Sequence, residues 1–284
     1  TDNYLQLLAD EFDGACSIGI DKNFPARFLM PLMDLVDECH FELGSECVDR
    51  VRMVKDEKEQ QLMIEASKIN DLVVDEVINI CAKGNLTEKE VSDQLAGIYQ
   101  KHGCTGNSFE PIVAYGKNGA DNHHSGDDST LKPGDSIVID IGGLYKGYCS
   151  DMTRTVFYKE VSPKQKAVYE LVLKAQKAAE AMIKPGVRLC DIDKCARDII
   201  AEGGYTVEFN HRLGHFIGRD VHEWGDVSQN YDIEVQEGMT FSIEPGVYLQ
   251  GEFGVRIEDL VLVTEDGCKA LNSYPKDLKV IGND

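Results

Sequence analysis

From about Asp56 onward, the pattern of apolar and polar positions alternates between long helix-like segments and short runs crowded with β-branched and aromatic residues. Asp56 followed three residues later by Glu59 is a capping-box signature, and it predicts a helix running to about Lys83, before Gly84. Thr87 with Glu90 opens a second helix that stops near Gly103. Ser162-Pro163 supplies an N-cap and a first-turn proline for a third, ended by Pro185-Gly186. Between and after these lie strand-like runs. IVIDIGG (137–143) and YCSDMTRTVF (148–157) flank a tight turn, as do FSIEPGVYL (241–249) and VRIEDLVLVT (255–264). If the first turn is centred between Tyr145 and Lys146, Asp140 and Asp151 sit directly opposite each other. A second turn centred near Gly251 likewise places Glu244 opposite Glu258.

Residues 1–55 have a different texture. An amphipathic start, YLQLLADEF, leads to an apolar CSIGI strand and then to KNFPARFLMPLMDLV, helical after Pro25. This reads as the tail of an α/β lobe, with residues 56–284 as the main domain and further chain expected ahead of residue 1. A weak repeat at a shift of 101 aligns Lys83, Val91, Ile98, Gly103 and Thr105 with Lys184, Ile192, Ile199, Gly204 and Thr206. Each half then reads helix, helix, strands and an acid-bearing hairpin. The matching order predicts two similar halves whose hairpins face each other.

Composition narrows the function. Hydrophobic residues at 42% and charged residues at 28% fit a soluble globular chain of 284 residues with a sizeable core. There is no long apolar run for a membrane span, and Thr1–Leu8 lacks the basic start of a signal peptide. A net charge of −21 argues against nucleic acid or an anionic membrane as main partner. Nine scattered cysteines without a CxxC pair suit free thiols in a reducing cytoplasm.

The hairpin acids change the picture most. Cross-strand Cβ atoms are about 4.5–5.5 Å apart, and like charges there repel. Two such pairs in one chain call for a bound cation. Five of the seven histidines (123, 124, 211, 215 and 222) fall in the same stretch, and His215 is flanked by Gly214 and Gly218, where the backbone can approach a neighbour closely. Asp140, Asp151, His215, Glu244 and Glu258 thus form a candidate ligand set. Oxygen ligands with one imidazole suit Mn(II), Fe(II), Co(II) or Zn(II), and four carboxylates are enough for two ions. Cys149 shares strand parity with Asp151, although packing is its simpler role. Arg256 shares parity with Glu258, so its guanidinium could hold a metal-bridging carboxylate.

The motifs IDIGG, SDMTRT, GHFIG, HEWG, SIEPG and GVRIED, in this order and at these spacings, resemble the creatinase/prolidase-like metallopeptidases of pita-bread fold. Within that group the chain is similar to Xaa-Pro dipeptidases and aminopeptidases from about Val54 to the C-terminus. The resemblance implies an α+β fold with a pseudo-two-fold, a curved antiparallel sheet covered by helices, and residues 1–55 as the end of a substrate-capping lobe. It implies two divalent ions, most simply Mn(II), with Asp140 on one, His215 and Glu244 on the other, and Asp151 and Glu258 bridging. Glu244 would also shuttle a proton. His123 matches the family's substrate-binding histidine, although the doubled His123-His124 leaves the register open by one. His222 would hydrogen-bond substrate near the scissile bond, and His211 would contact the substrate carboxylate or orient neighbouring groups. A short proline-containing peptide is the implied substrate and a homodimer the implied assembly. An aminopeptidase acting on longer peptides, a creatinase-like enzyme and a non-peptidase member of the fold are the alternatives.

Overall fold

A computed structural model describes residues 4–12, 14 and 17–283. It divides into two compact units, residues 1–52 and 53–284. In the first, the strand Ser17–Ile20, the helix Ala26–Leu35 and the strand His40–Leu43 form a parallel strand–helix–strand unit, with Ser17 opposite His40 and Ile20 opposite Leu43. The amphipathic start is the helix Tyr4–Glu11, and Tyr4 stacks edge-on against Phe28. Cys16, expected to open the first strand, lies outside the described residues. The strand His40–Leu43 and the helix Ser45–Met53 have no counterpart in the sequence-based expectations.

The larger unit repeats one plan twice. Helix Glu57–Ala82 opens on the expected Asp56 capping box, and helix Glu88–Lys101 opens on that of Thr87. Helix Pro163–Met182 is capped by Ser162, and helix Leu189–Glu202 follows it. The second helices of the two halves are both 14 residues long. They lie 101 positions apart (88 to 189), and each is followed by a left-handed glycine, Gly103 at φ +89° and Gly204 at φ +91°. The repeat is therefore structural, and its buried anchors Val91 and Ile192 are both fully inaccessible.

In the first half, a four-stranded sheet runs Val280–Ile281, Met152–Tyr158, Ser136–Ile141, Ile112–Tyr115. In the second, Thr240–Ile243, Asp259–Val263 and Cys268–Ala270 form a three-stranded antiparallel sheet, beside the hairpin Gly246–Leu249/Phe253–Arg256. Strand interiors are almost entirely buried, because the helices cover them and the halves meet. That seam is stitched by Glu258 N donating to Thr153 O (3.1 Å) and by Thr155 Oγ1, which donates to Arg256 O (2.9 Å) and accepts from Arg256 N (3.1 Å). Gly254 permits the approach: a Cβ there would lie 1.7 Å from Gly119 O. Two halves with helices backing paired strands give the expected α+β pita-bread arrangement with its pseudo-two-fold.

Candidate metal centre

The second hairpin has the expected register. Gly246 faces Arg256 and Leu249 faces Phe253 on one side of the acids, and Ile243 faces Asp259 on the other, so Glu244 and Glu258 stand opposite each other. The first hairpin differs by two residues. Asp140 faces Thr153, not Asp151, because Tyr145 pairs with Tyr148 and the turn is Lys146-Gly147. Both turn residues have positive φ (50° and 84°), as a two-residue hairpin with right-handed strand twist requires. A one-residue slip would have sent Asp151 to the other face; a two-residue shift keeps parity. Asp140 and Asp151 therefore share a face as diagonal neighbours.

The seam between the halves brings both acid pairs to one cavity of about 560 Å³, which His123, His211, His215, His222 and Arg256 also line. Asp151, His215 and Glu258 are buried, with ligand atoms all within 4.8 Å of one another. His215 Nδ1 donates to its neighbour's carbonyl, Phe216 O (3.2 Å), so the lone pair of Nε2 faces Asp151 Oδ2 at 3.4 Å and Glu244 Oε1 at 3.6 Å. Burial lowers the imidazole pKa below its usual value, which favours the neutral ring. A lone pair aimed at carboxylates repels them unless a cation lies between.

The carboxylates carry the same strain. Asp140 Oδ1, Asp151 Oδ1 and Glu258 Oε1 are buried and accept no hydrogen bond. Burial, then the neighbouring Asp140 charge, pushes Asp151 well above the carboxylate range; burial, then Asp151, does the same to Glu258. Burial likewise raises Glu244 to about 7. Unpartnered buried oxygens of this kind are expensive unless paired or metal-bound. Hard oxygens with one imidazole fit divalent cations, and the residues present fit the group.

Neighbouring side chains orient the set. Ser242 Oγ donates to Glu244 Oε1 (3.2 Å) and accepts from His215 N (3.0 Å). Arg256 Nη2 donates to Asp140 Oδ2 (2.5 Å) and its Nε to Thr153 Oγ1 (3.0 Å), which donates to Glu258 Oε2 (2.7 Å). The guanidinium expected on a bridging acid thus grips Asp140 directly and reaches Glu258 only through Thr153. The register explains this, since Thr153 lies across from Asp140. Neither Thr153 nor Tyr248 was expected at the site. Tyr248 had a signal in the sequence: it has the parity of Glu244 and Arg256 on one hairpin face.

The histidines separate into different environments. His222 is exposed but stacks edge-on against His215 at 4.4 Å, and partial desolvation, then His215, lowers its pKa to about 4. His211 Nδ1 donates to Arg212 O (2.6 Å), which leaves Nε2 to accept from Tyr248 OH (3.0 Å); that hydroxyl in turn accepts from Arg256 Nη1 (2.8 Å). Burial, then Arg256, takes His211 down to about 3, consistent with a neutral ring whose two nitrogens are both engaged. His123 lines the same cavity, as does His124. His124 is also bound to Glu88, with Nε2 2.6 Å from Oε2. Cys149 is buried with its thiol 3.5 Å from Arg219 O. Gly214 and Gly218 make close approaches within the fold: Cβ atoms would lie 1.9 Å from Ser242 O and 2.8 Å from Glu223 Oε1.

Residues 61–265 match metallopeptidase family M24. The chain is 38% identical over 273 residues to an Xaa-Pro dipeptidase of Pyrococcus horikoshii, covering 95% of this chain and 78% of that protein. It spans only 66% and 64% of two other curated relatives, from Bacillus subtilis and Lactobacillus helveticus. Among solved structures, an Xaa-Pro dipeptidase from Bacillus anthracis superposes with a TM-score of 0.94 at 32% identity, covering 99% of this chain and 79% of that one. An X-Pro aminopeptidase from Thermotoga maritima superposes with a TM-score of 0.89 at 34% identity, covering 99% and 80%.

Proposed function

Because the chain belongs to metallopeptidase family M24, we propose that it is a dinuclear-metal peptidase that hydrolyses the Xaa-Pro bond of short peptides. The observation that carries this reading is the set of three buried, unpartnered carboxylate oxygens, on Asp140, Asp151 and Glu258, beside an imidazole nitrogen that faces Asp151 and a fourth acid, Glu244. Asp140 would hold one ion, His215 and Glu244 the other, with Asp151 and Glu258 shared. Two divalent ions, when bound, supply Lewis acidity and lower the pKa of a shared water. We favour Mn(II), with Co(II), Zn(II) and Fe(II) as alternatives for the same donors.

The chain's own residues would then do the rest. Glu244 receives the proton of the attacking water and delivers it to the leaving nitrogen. His222, beside His215, and His123 are placed to hydrogen-bond the substrate carbonyl and the oxyanion that develops on it. The engaged nitrogens of His211 favour an orienting role over contact with the substrate carboxylate. Arg256 holds Asp140 and, through Thr153, Glu258. Residues 1–55 would belong to a lobe that caps the substrate.

Likeness to the Thermotoga aminopeptidase supports a second reading, an Xaa-Pro aminopeptidase acting on longer peptides. Five intact candidate ligands count against a creatinase-like or non-catalytic role. No helix among the described residues is long and apolar enough to cross a membrane. We propose a cytoplasmic enzyme that acts as a homodimer. Assaying the metal-loaded protein on alanyl-proline against an alanyl-prolyl tripeptide tests the function. Preference for the dipeptide supports the first reading, preference for the tripeptide the second, and hydrolysis of neither would refute both.

A further inference from the structure

Adjacent histidines 123 and 124 both line the cavity, and the second also reaches a buried cluster behind it. Glu88, the first residue of helix Glu88–Lys101, is fully buried. Its Oε1 accepts from Tyr115 N (2.6 Å) and Asn118 Nδ2 (3.0 Å), and its Oε2 accepts from Asp127 N (3.1 Å). His124 Nε2 completes the set at 2.6 Å and must carry the proton, because the carboxylate is surrounded by donors. Glu88, His124 and Asp127 offer ligand-type atoms within 4.8 Å of one another, yet both Glu88 oxygens are already committed. The cluster is a clamp.

What it clamps is the segment carrying His123. Glu88 N donates to Ser129 O (3.2 Å) and Lys89 N to Asp127 O (3.1 Å), seating residues 127–129 on the helix start. On the other side, the Tyr115 amide and Asn118 tie the end of strand Ile112–Tyr115 and the following 3₁₀ turn, Gly116–Ala120, to the same carboxylate. Within the loop, His123 N donates to Asp121 Oδ1 (3.0 Å) and His124 N to Asp121 O (3.2 Å). Among the described residues, His124 is the side chain by which the middle of the segment reaches its buried anchor, and it lines the cavity next to its neighbour His123.

We propose that His124, through its hydrogen bond to buried Glu88, is a positioning residue that sets His123 in the active-site cavity. The proposal rests on the reading of His123 as a substrate-contacting residue. Misplacing a substrate-contacting group by about 1 Å can cost on the order of 100-fold in rate. His124→Leu removes the donor, whereas His124→Gln keeps an N–H that can reach Glu88.

The test uses the Zn(II)-loaded chain with His124→Leu, His124→Gln, His123→Ala and the His123→Ala/His124→Leu double variant. Metal content, kcat/KM on alanyl-proline and the ring resonances of His123 are measured. The expected result is a loss of roughly 10- to 100-fold in kcat/KM for His124→Leu, with metal content unchanged and the His123 resonance shifted or split. His124→Gln should restore both, and the double variant should be no slower than His123→Ala alone. Wild-type kinetics and an unmoved resonance in His124→Leu would overturn the proposal, as would a double variant slower by the full product of the two losses. If the wild-type chain leaves alanyl-proline intact, the substrate reading fails separately. The resonance then decides: displaced in His124→Leu and restored in His124→Gln supports the clamp, and unmoved in both overturns it.

Discussion

Replacing Glu244 with glutamine should act in opposite directions on the metal-free and metal-loaded protein. Glu244 is held among Asp140, Asp151 and His215, and burial raises its carboxyl from an ordinary 4.5 to about 7. The sign follows from proton binding. A folded-state pKa above the unfolded value means that the folded chain binds more protons between about pH 4.5 and 7, so stability falls as pH rises through that window. Above it the full cost is present, about 3 kcal/mol at 1.36 kcal/mol per pH unit. Glutamine has the same shape, its amide oxygen can still accept from Ser242 Oγ, and it carries no charge. In EDTA at pH 8, Glu244→Gln should raise the melting temperature by roughly 6–12 °C, taking about 2–4 °C per kcal/mol for a domain of this size. At pH 4.5 the gain should vanish. With metal, the variant should bind more weakly and lose hydrolysis. Differential scanning fluorimetry across pH, with and without Zn(II), reads both effects. A lower melting temperature for metal-free Glu244→Gln at pH 8 would refute the account of the site as an uncompensated cluster of acids.

Other perturbations test separate parts of the structure. Asp151→Asn or Glu258→Gln should abolish metal-dependent hydrolysis with little unfolding, checked by activity and circular dichroism; full activity in either would remove its assignment as a shared ligand. Thr153→Val deletes the link between Arg256 and Glu258 and should weaken metal binding about 10- to 100-fold in a calorimetric titration. Lys55 and Glu223 form an ion pair with both side chains nearly inaccessible, so Lys55→Met should cost about 3–5 kcal/mol in urea denaturation, and adding Glu223→Leu should recover part of it.

Much of this was legible in the sequence where local chemistry decides the outcome. Asp56, Thr87 and Ser162 cap their helices because each side chain can reach its own N3 amide and is answered by Glu59, Glu90 or Gln165. The register about Gly251 follows from counting outward along two unbroken strands to Glu244 and Glu258. The register about the first hairpin does not, because LYKG allows two centres and only the positive φ of Lys146 and Gly147 chooses between them. Residues 40–53 were missed for a different reason: His40–Leu43 is a four-residue, largely exposed strand with no alternation to read.

Long-range polar partnerships left still less trace. Nothing adjacent to Glu88 in the chain announces that it will meet His124, 36 residues away, or that Lys55 will meet Glu223 across 168. Arg154 is similarly hidden. Buried, it donates to Glu258 O, Thr153 O, Tyr274 O and Asp259 Oδ1, fastening both acid-bearing strands from behind. Hairpin periodicity can put acids on a common face, but only the tertiary fold supplies the groups that hold them there.

We propose that Asp140, Asp151, His215, Glu244 and Glu258 together hold two catalytic metal ions. The most direct measurement is one titration of the metal-free chain with Mn(II), following bound metal and alanyl-proline hydrolysis in the same samples. Binding that saturates at two ions per chain, with hydrolysis reaching its plateau as the second site fills and both absent in Asp151→Asn, is the predicted result. Hydrolysis at full rate in EDTA, or no bound metal at saturating Mn(II), would contradict it.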